Sequence, residues 1–67
     1  MSIFATRLRE ILKQRGMTQQ NLADLLGMPR KTVNNYCIGF REPSIEVLAR
    51  IGRMLGEDLN YLCGAID

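Results

Sequence analysis

The sequence predicts an all-α fold, a compact arrangement of five short helices in a single domain over residues 1–67. Three observations lead there. Apolar residues recur at three- and four-residue spacing along the chain, and no stretch reads as a strand. Gly16, Gly27, Gly39, Gly56 and Gly64 follow the successive apolar runs, where glycine commonly stops a helix. Thr18, Ser44 and Asp58 stand where a new helix would open, as N-cap residues do.

Each element can be justified in turn. Phe4, Leu8, Ile11 and Leu12 mark the inner stripe of a first helix that ends near Arg15-Gly16. Thr18 caps a second helix with Leu22, Ala23, Leu25 and Leu26 inside, and Gly27 stops it early. Pro29 fits the first position of a third helix, where its missing N–H costs nothing. Val33, Tyr36 and Cys37 form that helix's stripe, and Gly39 ends it. Phe40-Arg41-Glu42-Pro43 reads as a loop. Ser44 caps a fourth helix, with Glu46 in the first turn, where a negative charge suits the helix dipole. Its inner stripe is Ile45, Leu48, Ile51, Gly52 and Leu55. Asp58 opens a last short helix holding Leu59, Tyr61 and Leu62. Gly52 lies inside a helix, where it costs about 1 kcal/mol against alanine; close approach of another helix would explain it.

Composition bounds the function. A chain of 67 residues has no room for a deep cofactor pocket, and no small-molecule cofactor is expected. Aromatic residues make up only 6%, so Leu, Ile, Val, Met and Ala must build the core. The net charge is only +2, but it is unevenly spread. Residues 1–41 hold seven basic and two acidic side chains, a balance of +5; residues 42–67 hold two basic and five acidic ones, a balance of −3. Such asymmetry suits a protein that turns one end toward a polyanion.

Cys37 and Cys63 match no zinc or redox spacing, and no histidine could complete a metal site. No apolar run approaches a membrane span, and the first residues lack a signal-peptide core. A cytoplasmic protein with two free thiols and no membrane association is expected. No nucleophile–base pair, metal set or phosphate-binding glycine loop is present, so no catalytic residues and no enzyme are expected.

The informative segment is Gln19-x3-Ala23-x3-Gly27-x5-Val33-x2-Tyr36. Ala23 is small enough for two helices to approach. Gly27 supplies the positive φ of a sharp turn between them. Val33 and Tyr36 face back onto the second helix, which leaves Lys31, Asn34 and Asn35 outward. Arg30 and Lys31 also sit in the first turn of their helix, where positive charge is unfavourable by roughly 0.3–1 kcal/mol each. A nearby polyanion would more than offset that.

These residues resemble the phage-repressor and Cro type of helix-turn-helix protein, the lambda-repressor-like domain. The resemblance also rests on Arg7-Leu8-Arg9-Glu10-Ile11, Gly16-Met17-Thr18-Gln19, Thr32-Val33, Gly39, Arg41-Glu42-Pro43-Ser44 and Leu59-Asn60-Tyr61-Leu62. It implies a sequence-specific DNA-binding regulator, a repressor by expectation, whose third helix enters the major groove of double-stranded DNA. The family's base-contacting positions fall on Arg30, Lys31, Asn34 and Asn35, and its phosphate contacts on Thr18, Gln19, Thr32 and Arg41. Arginine and lysine can read guanine, and asparagine can read adenine. A homodimer on a two-fold symmetric site is expected, with Leu59, Leu62, Cys63 and Ile66 at the interface. The alternative is a protein-interaction module, an antitoxin or transcriptional adaptor built on the same fold.

The chain departs from the family in three places. Asn21 stands where many relatives carry a Glu that completes a capping box with Thr18, so more fraying of the second helix is expected. Ile38 and Phe40 replace polar residues that touch phosphates in relatives; local packing against the first or fourth helix is the first expectation for them, a partner chain the second. Leu12 and Cys37 stand where many relatives pair an Arg with a Glu between helices. Both are therefore expected to be buried, as neighbours.

Overall fold

The computed structural model describes residues 2–67. Their order is α1 (Ile3–Arg15), α2 (Gln19–Leu26), α3 (Arg30–Cys37), α4 (Ile45–Leu55) and α5 (Leu59–Cys63). All five regular elements among the described residues are helices, as the periodicity predicts. The boundaries follow local chemistry. Ser2, Thr18, Ser44 and Asp58 each accept a bond from a backbone N–H in the first turn of the helix that follows. Gly16, Gly27, Gly56 and Gly64 end their helices in the left-handed region, which residues with a Cβ adopt at a cost.

One hydrophobic core joins the helices. Phe4, Leu8, Ile11 and Leu12 of α1 meet Leu22, Ala23 and Leu26 of α2, Val33, Tyr36 and Cys37 of α3, Ile51 and Leu55 of α4, and Leu62 of α5. Tyr36 packs edge-on against Phe4, with ring centroids 6.4 Å apart. Gly52 lies where α4 meets the turn into α5. A Cβ there would sit 3.1 Å from the Glu57 carbonyl oxygen, and the Glu57 N–H donates to the Gly52 carbonyl at 2.9 Å. The absent side chain thus leaves room for the turn that closes its own helix rather than for the separate helix expected from the sequence; the nearest atom of α5, Leu62 Cδ1, would be at an ordinary 3.7 Å.

Several expectations need correction. Pro29 is the N-cap of α3, with extended ψ 143, so the helix starts one residue later. Its C-terminal turn passes through Ile38 in the right-handed region before Gly39, at φ 76, reverses the chain. Leu25 and Ile45 are exposed rather than inside. At 100° per residue, Leu25 lies roughly 110° from the centre of its helix's buried stripe, and Ile45 roughly 75° from that of α4. Asn21 does complete the capping box: its Oδ1 accepts from the Thr18 N–H at 2.9 Å, and its own N–H donates to Thr18 Oγ1 at 3.0 Å. An amide oxygen thus does the work expected of a carboxylate, and the basis for extra fraying disappears.

Leu12 and Cys37 are both buried in the same core cluster, as expected. Burial pushes the Cys37 thiol above its ordinary pKa, and the nearby Arg9 charge offsets part of that rise. A protonated, shielded thiol is a poor nucleophile. A maleimide is therefore expected to label exposed Cys63 in the native protein and Cys37 only after unfolding, read by mass spectrometry. Comparable labelling rates for the two native thiols would contradict the packing of Cys37.

Candidate nucleic-acid interface

Helices α2 and α3 are joined by a tight turn. The Gly27 N–H bonds to the Asp24 carbonyl at 3.3 Å, and the Met28 N–H to the Ala23 carbonyl at 3.0 Å. Ala23 and Val33 are fully buried, so the small residue and the branched one hold the pair as the motif implies. With Val33, Tyr36 and Cys37 turned into the core, the remaining face of α3 is fixed. Residues 30, 31, 34 and 35 span an arc of roughly 140° on it. Arg30 and Lys31 are exposed, and Asn34 and Asn35 are half-buried. The four expected base-reading side chains therefore share one outward side. Exposed Ile38 continues that row past the helix end.

Helix α3 alone among the five lacks a side-chain cap, because Pro29 offers none. Its first turn carries two exposed cations, Arg30 and Lys31, and no acid. The ion pairs Arg7–Asp67, at 3.8 Å, and Arg15–Glu57, at 2.7 Å, use other cations. Arg30, Lys31 and Arg41 make no ion pair among the described residues. The side-chain amides of Gln19, Asn34 and Asn35 likewise make no hydrogen bond within those residues, so donors and acceptors are open to a partner.

The expected phosphate contacts are distributed around this face. Gln19 is the first residue of α2, beside the Thr18 cap. The Thr18 hydroxyl accepts a bond from Asn21 and can still donate its proton outward. Thr32 is half-buried in the first turn of α3, and Arg41 is exposed in the loop after it. That loop is pinned: the Phe40 and Arg41 N–H groups both bond to the Asn35 carbonyl, at 2.9 and 3.2 Å.

Two arginines that brace this unit escape sequence reasoning. Arg9 of α1 donates to the Cys37 carbonyl at the end of α3. Arg50 of α4 donates to the Leu26 carbonyl at the end of α2, at 2.7 Å. Each places a cation at the negative end of a helix dipole. Their partners are backbone carbonyls 28 and 24 residues away, which no side-chain motif could encode.

Among the expected interface residues, Leu59 and Ile66 are 41% and 49% exposed, and Cys63 is also exposed. Leu62 requires correction: it is fully buried in the protomer's core and has nothing to present to a partner. Ile38 and Phe40 are corrected too. They are 57% and 74% exposed instead of packed locally, because the bonds to Asn35 turn the loop away from the core.

No helix among the described residues is long and apolar enough to cross a membrane. Those residues also contain no group of three or more potential metal ligands.

Comparison with known proteins agrees with this geometry. A helix-turn-helix family model matches residues 8–62. The chain is 40% identical over 60 residues to the uncharacterized HTH-type transcriptional regulator YqaE of Bacillus subtilis (strain 168), a match covering 90% of this chain and 52% of that protein. It is 36% identical over 58 residues to the HTH-type transcriptional regulator AnsR of the same organism, covering 87% and 50%. The crystal structure of a transcriptional regulator from Listeria innocua superposes with a TM-score of 0.86 at 30% identity, covering 96% of this chain and 60% of that one. The chain spans about half the length of the curated Bacillus relatives it matches.

Proposed function

The chain belongs to the helix-turn-helix family of the Cro and phage-repressor type, and from that membership we propose that it is a sequence-specific DNA-binding repressor acting as a homodimer on a two-fold symmetric operator. The observation that carries this reading is the outward side of α3. It offers Arg30, Lys31, Asn34 and Asn35 together, with no ion pair or side-chain hydrogen bond among the described residues to occupy them. In the proposed complex these four residues touch base edges in the major groove. Thr18, Gln19, Thr32 and Arg41 touch the flanking phosphates, which fixes the helix in register. Residues 1–67 act as one DNA-binding unit in the cytoplasm, without enzymatic activity or a small-molecule cofactor.

A single reading helix contacts few base pairs, so useful specificity calls for two half-sites about one helical turn apart. The exposed apolar residues Leu59, Cys63 and Ile66 on α5 and the tail supply a surface for the second copy.

The test is to select bound sequences from a random duplex pool, then titrate the chain against the selected and a scrambled duplex at two salt concentrations. Affinity for both is expected to fall steeply and linearly on a log–log salt plot, because phosphate contacts release counterions. At fixed salt, the selected duplex is expected to bind about 1,000-fold or more tightly than the scrambled one. A chain that works only as a protein-interaction module would bind neither duplex appreciably, and that result would remove the proposal.

A further inference from the structure

The loop between α3 and α4 carries an aromatic ring that the proposed DNA face does not use. Phe40 is 74% exposed, yet its backbone is held. Gly39 at φ 76 turns the chain, and the Phe40 N–H bonds to the Asn35 carbonyl at 2.9 Å. The ring is thus presented on a fixed support and adds nothing to the protomer's own core. Close to it in sequence lies a cleft of about 270 Å³ walled by Ile3, Phe4, Pro43, Leu48 and Cys63, with Glu42 among its polar edges. A space of about 150 Å³ accommodates benzene, so this cleft holds a phenyl ring together with its flanking atoms. It is smaller than the roughly 300–1,000 Å³ typical of small-molecule sites.

We propose that the cleft receives Phe40 from a second copy of this chain, and reciprocally, so that two exchanged rings anchor the homodimer. The inference rests on the dimeric reading above and names the contact that makes it. Three features select a second copy as the occupant. Knob and hole are neighbours along the chain, for Phe40 is only two and three residues from Glu42 and Pro43, which line the cleft. A two-fold axis sets a patch against itself, so a patch holding both parts can satisfy both protomers at once. The charges agree: exposed Arg41 travels with the knob, and Glu42 edges the hole. In the DNA-free dimer, exchange brings each Arg41 to the other copy's Glu42, a complementarity that fixes orientation. Cys63 in the cleft wall also makes this contact continuous with the exposed surface of α5.

The experiment is sedimentation equilibrium of the DNA-free chain with Phe40→Ala, Phe40→Leu, Arg41→Glu, Glu42→Arg and the Arg41→Glu/Glu42→Arg double variant. Thermal melts at concentrations where all are monomeric check the fold. Phe40→Ala is expected to raise the dimer dissociation constant at least about thirtyfold, as loss of a buried aromatic anchor does, and Phe40→Leu is expected to raise it less. Each single charge reversal should weaken the dimer, and the double variant should recover part of the loss. Monomer melting should not move for Phe40→Ala. A parallel titration separates this contact from DNA binding: Phe40→Ala should bind a half-site duplex like wild type and lose affinity only on the full site. An unchanged dimer constant in Phe40→Ala overturns the proposal, as does a chain that is monomeric at every concentration. Equal loss on half and full sites overturns it too, because Phe40 would then touch DNA. In each of these cases binding to the half-site tests the DNA-reading helix independently.

Discussion

Leu12→Arg is expected to destabilise the chain by about 3–5 kcal/mol. Leu12 is 5% exposed and packs in the cluster that holds Cys37. An arginine there would bring a charge into a site built for a leucine, with no acidic side chain in the buried core. Leaving one charge buried without its partner costs about 3–5 kcal/mol. A domain of this length has a total stability of about 3–10 kcal/mol, so one substitution can consume most of it. Cys37→Glu should also destabilise, but less. The Arg9 guanidinium already reaches the Cys37 carbonyl and would partly neutralise a carboxylate one side chain away. The double variant places opposite charges at the two positions, and it is expected to be more stable than the sum of the single losses predicts. Urea unfolding of the four proteins gives the cycle. Strictly additive losses would show that the two positions do not meet, and a Cys37→Glu cost equal to that of Leu12→Arg would show that Arg9 provides no relief.

The same pair of positions shows what a sequence can disclose. Two apolar residues at two expected charge positions imply a neighbouring burial, and the core confirms the burial of both. Caps and turns were legible because their chemistry is local: Thr18 finds its partner three residues away, and Gly27 turns within its own φ. Exposure was less legible. Leu25 and Ile45 follow apolar spacing but point past the edge of the core, and an edge is set by where the other helices end. Leu62 and Leu59 look equivalent in sequence, yet one is buried and the other exposed, because α4 and α1 cover only one side of α5. The exposure of Phe40 has a related cause: the bonds to the Asn35 carbonyl that hold its loop outward leave no trace in side-chain patterning. Of the site, the reading face of α3 was visible from the positions of Val33 and Tyr36. Arg9 and Arg50 were not, because they act on backbone carbonyls far along the chain.

Lys31→Ala and Asn35→Ala are expected to cost about 1–3 kcal/mol each on the selected duplex and little on scrambled DNA. The expectation follows from where the fold leaves these side chains. Lys31 is exposed and Asn35 half-buried, and neither belongs to the core cluster, so melting temperature should change little. Lys31 presents a cation to acceptors such as guanine N7 and O6. Asn35 presents a donor and an acceptor, the pair that adenine N7 and N6 require. Loss of such contacts removes discrimination between bases, so the affinity ratio between selected and scrambled DNA should shrink. Gln19→Ala and Arg41→Ala should behave otherwise. Their proposed partners are phosphates, which every sequence offers, so both duplexes should weaken alike. Arg41→Ala alone should also make the log–log salt slope shallower by about one, because one fewer cation displaces counterions. Gln19→Ala removes no charge and should leave the slope in place. If Lys31→Ala and Asn35→Ala weaken selected and scrambled duplexes equally, α3 is not reading bases, whatever the affinity that remains.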